Sequence, residues 1–446
     1  MTVPAPGSPA AGSPTAGSPT AGSPTAGSPT AGSPAAVQPA AVQPTAGKPL
    51  SGLRVVEVAT YVAGPLGGMT LAQLGAEVIR VDPQGGAVDY TRWPLAASGT
   101  SLYWTGLNKG KRSLVADFRS TEGQEVVTRL VAGSGPGGGI VLTNAGRPWL
   151  SYEALSTVRP DLIHLRIEGH YDGTPAVDYT VNAGLGFPLV TGPEGHAEPV
   201  NQVLPAWDIA CGLYAAIAIL GAERRRRMTG AGQRLTLALG DVALAAAGNL
   251  GLLAEAEVNR VDRPRTGNHV YGSFGRDFAT RDGGRVMVVA LTARHWADLL
   301  AMTGLQAPAA ALAGALGADF SAEADRYTYR HALAGLLQHW FDGQDLDAVR
   351  KALAATSVLW SVYRSFREVT EAGEVRANPM MGVIDQPGIG RYLAPGSPVN
   401  AGEPAAREPV RAPLLGEHTA DILRADLGLS DDQIRDLHER GVVGSA

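Results

Sequence analysis

Residues 53–82 contain a short apolar strand, a glycine turn, a helix and a second apolar strand, and this order constrains the fold more than any other feature of the chain. The predicted turn carries Gly64, Gly67 and Gly68, with Pro65 among them. Two strands joined through a helix pair in parallel, because the crossover brings the chain back in the same direction. The segment therefore predicts the start of a parallel α/β sheet.

Later apolar runs extend this sheet. Residues 140–143 and 162–167 predict two further parallel strands, and residues 123–130 predict a helix before them. Alternating strands and helices are typical of a doubly wound, Rossmann-like α/β fold. The glycines do not match the Gly-x-Gly-x-x-Gly fingerprint, so a dinucleotide-dependent dehydrogenase is a weak alternative. An anionic ligand at the glycine turn and plain turn geometry both stay open.

The remainder of the chain predicts a long helix and a smaller α/β unit. Ala, Leu and Ile at every phase of residues 209–227 predict a helix that is buried on all sides. The other predicted elements are a helix at 241–258, a polar segment at 259–277, a strand at 285–290, helices at 295–302 and 329–341, and terminal helices at 419–427 and 431–441.

Composition argues against several partners and compartments. The 37 basic and 42 acidic residues are mixed along the chain and give a net charge of -5, so we expect no nucleic acid partner. No apolar run reaches the roughly 18 to 20 residues that cross a bilayer, so no membrane association is expected. The single cysteine, Cys211, fits a reducing compartment and predicts a cytoplasmic protein. Residues 1–47 repeat small residues and proline, and we expect a disordered tail.

Asp208 stands at the start of the long predicted helix, three residues after Pro205. Two interpretations stay open at this position. An aspartate there can cap the helix, because helix amino termini favour a hydrogen-bond acceptor and a negative charge. A carboxylate held at a buried helix terminus can also attack a carbonyl as a covalent nucleophile. Cys211, one turn later, is expected to be a buried structural thiol.

Other candidate sites are weaker. Tyr103 and Trp104 precede a cationic loop at 108–113, which could stack on adenine and pair with phosphates or simply be solvated. The nine histidines never occur at metal-ligand spacing, so no metal site is predicted. The absence of a Gly-x-Ser-x-Gly motif excludes the common serine hydrolases.

Several segments, taken in their order along the chain, together resemble the family III CoA-transferases, the formyl-CoA transferase-like (CaiB/BaiF) family. The resemblance covers residues 50–443 and rests on segments 50–57, 63–65, 74–81 and 108–113, on Asp208, and on Leu-Gly-Glu-His-Thr at 415–419. It implies a Rossmann-like large domain formed by residues 48–235 and 378–446, with a linker and small α/β domain at 236–377. It also implies an interlocked homodimer.

The resemblance further implies the site. Asp208 matches the nucleophilic aspartate of the family, and the substrate is an acyl-CoA, so CoA arrives with the substrate and no other cofactor is expected. The CoA contacts that the family implies are Val62, Ala63, Ala116, Asp117, Phe118, Arg119, Asn144 and Tyr179. Pro83 is a departure, because a transferase arginine can meet the nucleotide there. Val177 replaces the proton-carrying histidine of related racemases, so racemisation is disfavoured.

A narrower resemblance is to family members that move CoA between the two carboxyl groups of 2-methylfumarate. Segments 65–75, 89–94, 177–182, 204–208, 262–268, 271–277 and 386–398 carry it. It implies intramolecular transfer through an aspartyl-CoA intermediate. The residues assigned to the substrate carboxylates are Tyr271, Gly272, Gly275 and Arg276, and their alternative role is a structural loop. Intermolecular CoA transfer to another dicarboxylate and a non-catalytic acyl-CoA binding subunit stay open as other functions.

Overall fold

A computed structural model of the chain describes residues 48–400 and 408–444, and the predicted disordered tail lies outside the described residues. The largest sheet has seven strands, which are β1 (Arg54–Val58), β2 (Glu77–Asp82), β3 (Arg112–Ala116), β4 (Ile140–Thr143), β5 (Ile163–Glu168), β6 (Gln233–Ala238) and β12 (Val443–Gly444). Their order is β12-β3-β2-β1-β4-β5-β6, and every pair is parallel except β12 with β3. This order confirms the predicted parallel, Rossmann-like α/β class.

Helices cover both faces of this sheet. They are α1 (Ala63–Gln73), α2 (Leu102–Leu107), α3 (Thr121–Gly133), α4 (Tyr152–Ser156), α5 (Asp178–Ala183), α6 (Phe187–Val190), α7 (Ala206–Thr229), α8 (Leu239–Asn249), α9 (Leu252–Asn259), α17 (Thr419–Leu427) and α18 (Asp431–Glu439), with a 3-10 turn at Pro148–Leu150. Successive strand residues point to opposite faces. Val55 and Val78 therefore pack with α1, α7 and α8, whereas Val56 and Ile79 pack with α3, α17 and α18.

The glycines that predicted a turn lie inside α1, which corrects that prediction. A Cβ atom at Gly68 would lie 1.7 Å from Oε2 of Glu57, and one at Gly67 would lie 3.0 Å from the carbonyl oxygen of Gly212. The glycines are thus needed for close packing of α1 against β1 and α7, rather than for a left-handed turn. The helix begins at Ala63, directly after the end of the first loop.

The long helix α7 is buried on one face only, which corrects the prediction of a helix buried on all sides. Ala215 and Ile219 are fully buried against the sheet and α1, whereas Leu213, Tyr214 and Ile217 are exposed in a single chain. Contrary to the sequence-based expectation, α7 is also long and apolar enough to cross a membrane by length and composition. The buried residues of α7 belong to the core that packs on the α/β sheet. Helices in such a core can also meet the length and composition criterion for a membrane span.

The predicted helix at 241–258 is broken. Gly251 has a φ of 78° and separates α8 from α9, and the two helices meet at an angle of 60°. A left-handed residue ends the regular hydrogen-bond pattern of a helix, and glycine adopts this conformation at little cost. The sequence pattern did not reveal the break, because apolar residues continue through it.

A second sheet of three antiparallel strands follows, formed by β7 (Phe274–Ala279), β8 (Arg285–Ala290) and β9 (Leu359–Val362). Its helices are α10 (Ala293–Thr303), α11 (Gln306–Leu316), α12 (Glu323–Thr328), α13 (Arg330–Asp342) and α14 (Leu346–Ala354). The segment predicted to be polar up to residue 277 contains the start of β7, because Phe274 and Phe278 alternate into a core of their own. The chain then forms α15 (Phe366–Glu371), α16 (Gly373–Arg376) and the hairpin of β10 (Met381–Gln386) and β11 (Gly390–Pro395). The predicted domain boundaries stay a prediction.

The cationic segment at 108–113 is structural rather than solvated, and it is not a loop throughout, because Arg112 and Ser113 begin β3. Lys111 is buried, and its ammonium group donates to the Glu57 carboxylate at 2.8 and 2.9 Å, to the Pro65 carbonyl at 2.8 Å and to Asn108 Oδ1 at 2.8 Å. A buried charge is tolerated when it is paired and hydrogen bonded in this way. The Lys111 side chain in this segment therefore fixes α1 against β1.

A buried arginine continues this network towards the carboxyl end of the sheet. Arg80 pairs with Asp82 at 2.8 Å and with Asp89 at 3.1 Å, and all three side chains are almost fully buried. Asp89 Oδ2 also accepts the backbone N–H of Tyr61 at 3.1 Å. Tyr61 has a φ of 67°, a left-handed conformation that costs a non-glycine residue about 1 kcal/mol. The network thus holds a strained turn directly after β1.

Candidate active site

The carboxyl ends of the parallel strands surround a cavity of about 990 Å³. Tyr61 follows β1, Pro83 follows β2, Phe118 lies just beyond β3 and Asn144 follows β4, and all four line the cavity. Ligands of doubly wound sheets bind at this edge, where the strand order reverses between the first and fourth strands. At that reversal the Asn144 side chain accepts from the Thr60 N–H at 3.1 Å and donates to the Thr60 carbonyl at 3.0 Å.

The amino terminus of α7 reaches the same cavity and is capped by a distant aspartate. Oδ2 of Asp178 accepts the backbone N–H of Trp207 at 2.8 Å and that of Asp208 at 3.1 Å. The indole N–H of Trp207 donates to Asn182 Oδ1 at 3.1 Å, which fixes the first turn further. Asp178 therefore fills the capping role that stood open for Asp208. The Asp208 carboxylate lines the cavity.

The surroundings of Asp208 make its carboxylate unusually basic. Burial, followed by the negative charge of Asp178, raises the pKa of Asp208 to about 6, and the positive charge of Arg92 acts in the opposite direction. A carboxylate with this pKa is ionised at neutral pH and is a better nucleophile than an ordinary aspartate. Cys211 is buried in the next turn, and burial followed by the charge of Asp208 raises the pKa of its thiol to about 12, so the thiol stays protonated.

We expect the rate of any reaction that uses Asp208 as a nucleophile to fall below pH 6. Protonation removes the attacking lone pair, so kcat/KM should decrease roughly tenfold for each pH unit below the pKa of about 6. A pH profile from 4.5 to 8.5 measures this effect, with circular dichroism at each pH to verify folding. A profile that stays flat down to pH 5 would contradict the assignment.

The predicted CoA contacts are only partly gathered at the cavity. Val62, Ala63, Phe118, Asn144 and Tyr179 line it. The other three predicted contacts, which are Ala116, Asp117 and Arg119, do not line it. Ala116 pairs with Val443 at the end of β3, and Asp117 accepts from the Arg119 side chain at 3.1 Å. All these CoA contacts stay a prediction.

The four residues assigned to the substrate carboxylates lie elsewhere in a single chain. None of Tyr271, Gly272, Gly275 and Arg276 lines the cavity that contains Asp208. The Tyr271 hydroxyl donates to Glu255 at 2.5 Å, and Arg276 lines a second cavity of about 760 Å³. Their role in substrate binding stays a prediction.

The second cavity brings together three side chains that sequence spacing did not connect. Ligand atoms of Glu194, His269 and His331 lie within 4.8 Å of one another, a distance from which they could hold a metal ion. Arg330 already pairs with the Glu194 carboxylate at 3.5 Å, so the negative charge there has a partner. Residues so far apart in the chain carry no metal-binding motif, which is why sequence reasoning could not find the group.

Sequence reasoning also missed the arginines of the main cavity. Arg92, Arg147 and Arg166 line it, and Arg166 pairs with Glu168 at 3.1 Å. Arg92 lies within segment 89–94, which was singled out by resemblance but given no role. Arg147 follows Asn144 by three residues, at the position where loops of a doubly wound sheet meet ligands.

Comparison with known proteins agrees with this architecture. The sequence model of CoA-transferase family III matches residues 50–419. A 2-methylfumaryl-CoA isomerase from Chloroflexus aurantiacus is 50% identical over 397 residues, which cover 88% of this chain and 97% of that protein. A formyl-CoA:oxalate CoA-transferase from Bradyrhizobium diazoefficiens is 28% identical over 441 residues and covers 88% of this chain and 97% of its own.

Solved structures give the same result. A CaiB/BaiF family protein from Brucella suis superposes with a TM-score of 0.69 at 29% identity, covering 85% of this chain and 99% of that one. The predicted family is thereby confirmed. The strand order, the cavity at the carboxyl edge of the sheet, the position of Asp208 and these matches lead to one conclusion: the chain is an enzyme that belongs to CoA-transferase family III.

Proposed function

We propose that the enzyme moves CoA from C1 to C4 of one 2-methylfumaryl group, converting 2-methylfumaryl-CoA to 3-methylfumaryl-CoA. The observation that carries this proposal is the Asp208 carboxylate, which lines the cavity while Asp178 caps its helix. The 50% identity to a 2-methylfumaryl-CoA isomerase supports the choice of substrate. It is much higher than the 28% identity to a formyl-CoA:oxalate CoA-transferase.

The proposed reaction is a relay through Asp208. An Asp208 oxygen attacks the C1 thioester carbonyl, the CoA thiolate leaves, and a mixed anhydride forms. The thiolate then attacks the aspartyl carbonyl of the anhydride, which gives aspartyl-CoA and free 2-methylfumarate. The C4 carboxylate attacks the aspartyl thioester and expels the thiolate, which finally attacks the C4 acyl carbonyl and releases Asp208. Covalent catalysis through Asp208 thus splits one difficult exchange into several easier acyl transfers, and the CoA thiolate that leaves in one step is the nucleophile of the next.

The cavity suits an acyl-CoA in its size and in its charges. Its volume of about 990 Å³ lies at the upper end of ordinary ligand sites. Arg147 lines the cavity with its guanidinium 5.0 Å from the Phe118 ring centroid, and no ion pair of the described residues uses it. We assign Arg147 to a phosphate of CoA. Arg147 would then supply the positive charge that an arginine supplies in related transferases at the position where this chain has Pro83.

The enzyme is further proposed to act in the cytoplasm as an interlocked homodimer. The exposed apolar face of α7, formed by Leu213, Tyr214 and Ile217, supports an oligomer, because clustered apolar surface is costly in water. Such an arrangement also gives Tyr271 and Arg276 a route to the active site of a second subunit.

Isotope exchange tests the intramolecular relay. The enzyme is incubated with unlabelled 2-methylfumaryl-CoA and a tenfold excess of free ¹³C-labelled 2-methylfumarate. The products are then separated by chromatography, and their masses are measured by mass spectrometry. We expect 3-methylfumaryl-CoA without label, because the diacid stays in the closed site during transfer. Heavy labelling would instead support the intermolecular transferase, which the formyl-CoA:oxalate relatives favour. Absence of any product would support a non-catalytic acyl-CoA binding subunit.

A further inference from the structure

Arg92 has an unusual environment for a cation that lines the main cavity. Its guanidinium carbon lies 5.4 Å from the ring centroid of Tyr61 and 5.3 Å from that of Tyr103. No ion pair in the described part of the chain uses Arg92, whereas Arg166 in the same cavity is paired with Glu168 at 3.1 Å. The positive charge of Arg92 therefore has aromatic neighbours but no carboxylate partner in a single chain.

The two tyrosines can hold Arg92 in one orientation without using its full hydrogen-bonding capacity. One N–H group of Arg92 hydrogen bonds with the Tyr103 hydroxyl. The aromatic rings attract the guanidinium through their faces and leave its other N–H donors free. Those donors form a planar fork that matches the two oxygens of a carboxylate. Burial raises the pKa of Tyr103 to about 12, so its hydroxyl stays protonated and can donate as well.

Arg92 is also close enough to Asp208 to act on the same ligand. Arg92 and Asp208 line one cavity, and the positive charge of Arg92 favours the ionised form of the Asp208 carboxyl. Tyr103 lines this cavity too, and the negative charge of Asp208 contributes to raising the pKa of its hydroxyl. A small acyl group attacked by Asp208 would therefore have its far end within reach of the Arg92 fork.

We propose that Arg92, steadied by Tyr61 and Tyr103, binds the acyl carboxylate that is not in the thioester and makes the site specific for dicarboxylic acyl-CoA. This inference rests on the proposed function in that it places the acyl group beside Asp208. It also gives the relay a means of retention. While CoA is attached to Asp208, Arg92 holds the free diacid by one carboxylate and leaves the other to attack.

Binding of two unreactive ligands tests this subsite separately from catalysis. S-(3-carboxypropyl)-CoA carries a terminal carboxylate on a thioether, and its carboxamide counterpart has the same shape without the charge. Titration calorimetry is performed at pH 8, where Asp208 is ionised with or without Arg92. We expect the wild-type enzyme to bind the acid about 10- to 100-fold more tightly than the amide, as charge-assisted bidentate hydrogen bonds predict.

The variants separate recognition from a structural role. Arg92→Gln should bind acid and amide equally, and Arg92→Lys should keep part of the preference, because an ammonium retains the charge but not the fork. Arg367→Gln, at an exposed arginine of α15, serves as the matched control and should keep the full preference. The proposal would be overturned if the Arg92→Gln variant still bound the acid more tightly than the amide, which includes the case in which its affinity for both ligands falls by the same factor.

Turnover supplies an independent readout. With 2-methylfumaryl-CoA, Arg92→Gln should release free 2-methylfumarate into solution and leave CoA on the protein, whereas the wild-type enzyme should release almost none. If the wild-type enzyme forms no product but prefers the acid thioether, the proposed function fails and the carboxylate subsite stands. If the wild-type enzyme forms product and shows no preference, only the subsite fails.

Discussion

Replacement of Asp208 by asparagine is expected to lower kcat by at least about 10⁴-fold, because loss of a covalent nucleophile removes the entire relay. Asparagine keeps the volume of the side chain, so the fold and acyl-CoA binding should persist. Asp208→Ala should have the same effect on turnover. The measurements are product formation by chromatography and CoA-thioether affinity by calorimetry.

The matched control for Asp208 is Asp241→Asn. Asp241 also lies in the first turn of a helix, α8, but it is exposed and does not line the cavity. Its loss should leave kcat unchanged. Trapping adds a direct observation, since borohydride added during turnover should reduce an aspartyl thioester at residue 208, which peptide mass spectrometry detects. Unchanged turnover by Asp208→Asn, or trapping at another residue, would remove Asp208 from the mechanism.

Replacement of Asp178 by alanine is expected to have the second largest effect, about 10²-fold in kcat, although Asp178 is not the nucleophile. Loss of the cap leaves the N–H groups of Trp207 and Asp208 without their acceptor and should lower the free energy of unfolding by about 1 kcal/mol. The Asp208 carboxylate, in the same first turn, can then turn back to these donors and away from the substrate. A displacement of about 1 Å suffices for a 10²-fold loss.

Asp178→Asn separates capping from charge. Its amide oxygen can still accept the two N–H groups, so the melting temperature and kcat at pH 8 should stay close to those of the wild-type enzyme. Removal of the like charge lowers the pKa of Asp208, because Asp178 contributes to raising it. The acid limb of the pH profile should therefore move to lower pH. Equal losses in the alanine and asparagine variants at pH 8 would show that capping is not the reason.

Local patterns sufficed to predict most of the elements of the sheet. Residues 140–143 and the terminal helix at 419–427 were predicted with the bounds that the structure has. Apolar periodicity and short connections determine such elements, because strands and helices bury residues at fixed intervals. The resemblance, rather than periodicity, directed attention to Asp208 as a nucleophile.

The incorrect predictions concern residues whose packing or burial depends on a distant part of the chain. The glycines of α1 were interpreted as a turn because the approach of Glu57 and Gly212 is not visible in the local sequence. The segment with Lys111 could have been a solvated loop from its sequence, because its burial depends on β1 and α1. One face of α7 is exposed in a single chain, although composition alone suggested burial on every side.

The sequence by itself determined the parallel α/β class and the family, and through the resemblance it singled out Asp208 as the proposed nucleophile. Only the tertiary structure decided how that carboxylate is made available, because hydrogen bonds and charges act over a few ångströms regardless of separation along the chain. Asp178 lies 30 residues from Asp208, yet it caps the helix and raises the pKa of the Asp208 carboxyl. Tyr61, Arg92 and Tyr103 likewise meet only after the sheet has formed.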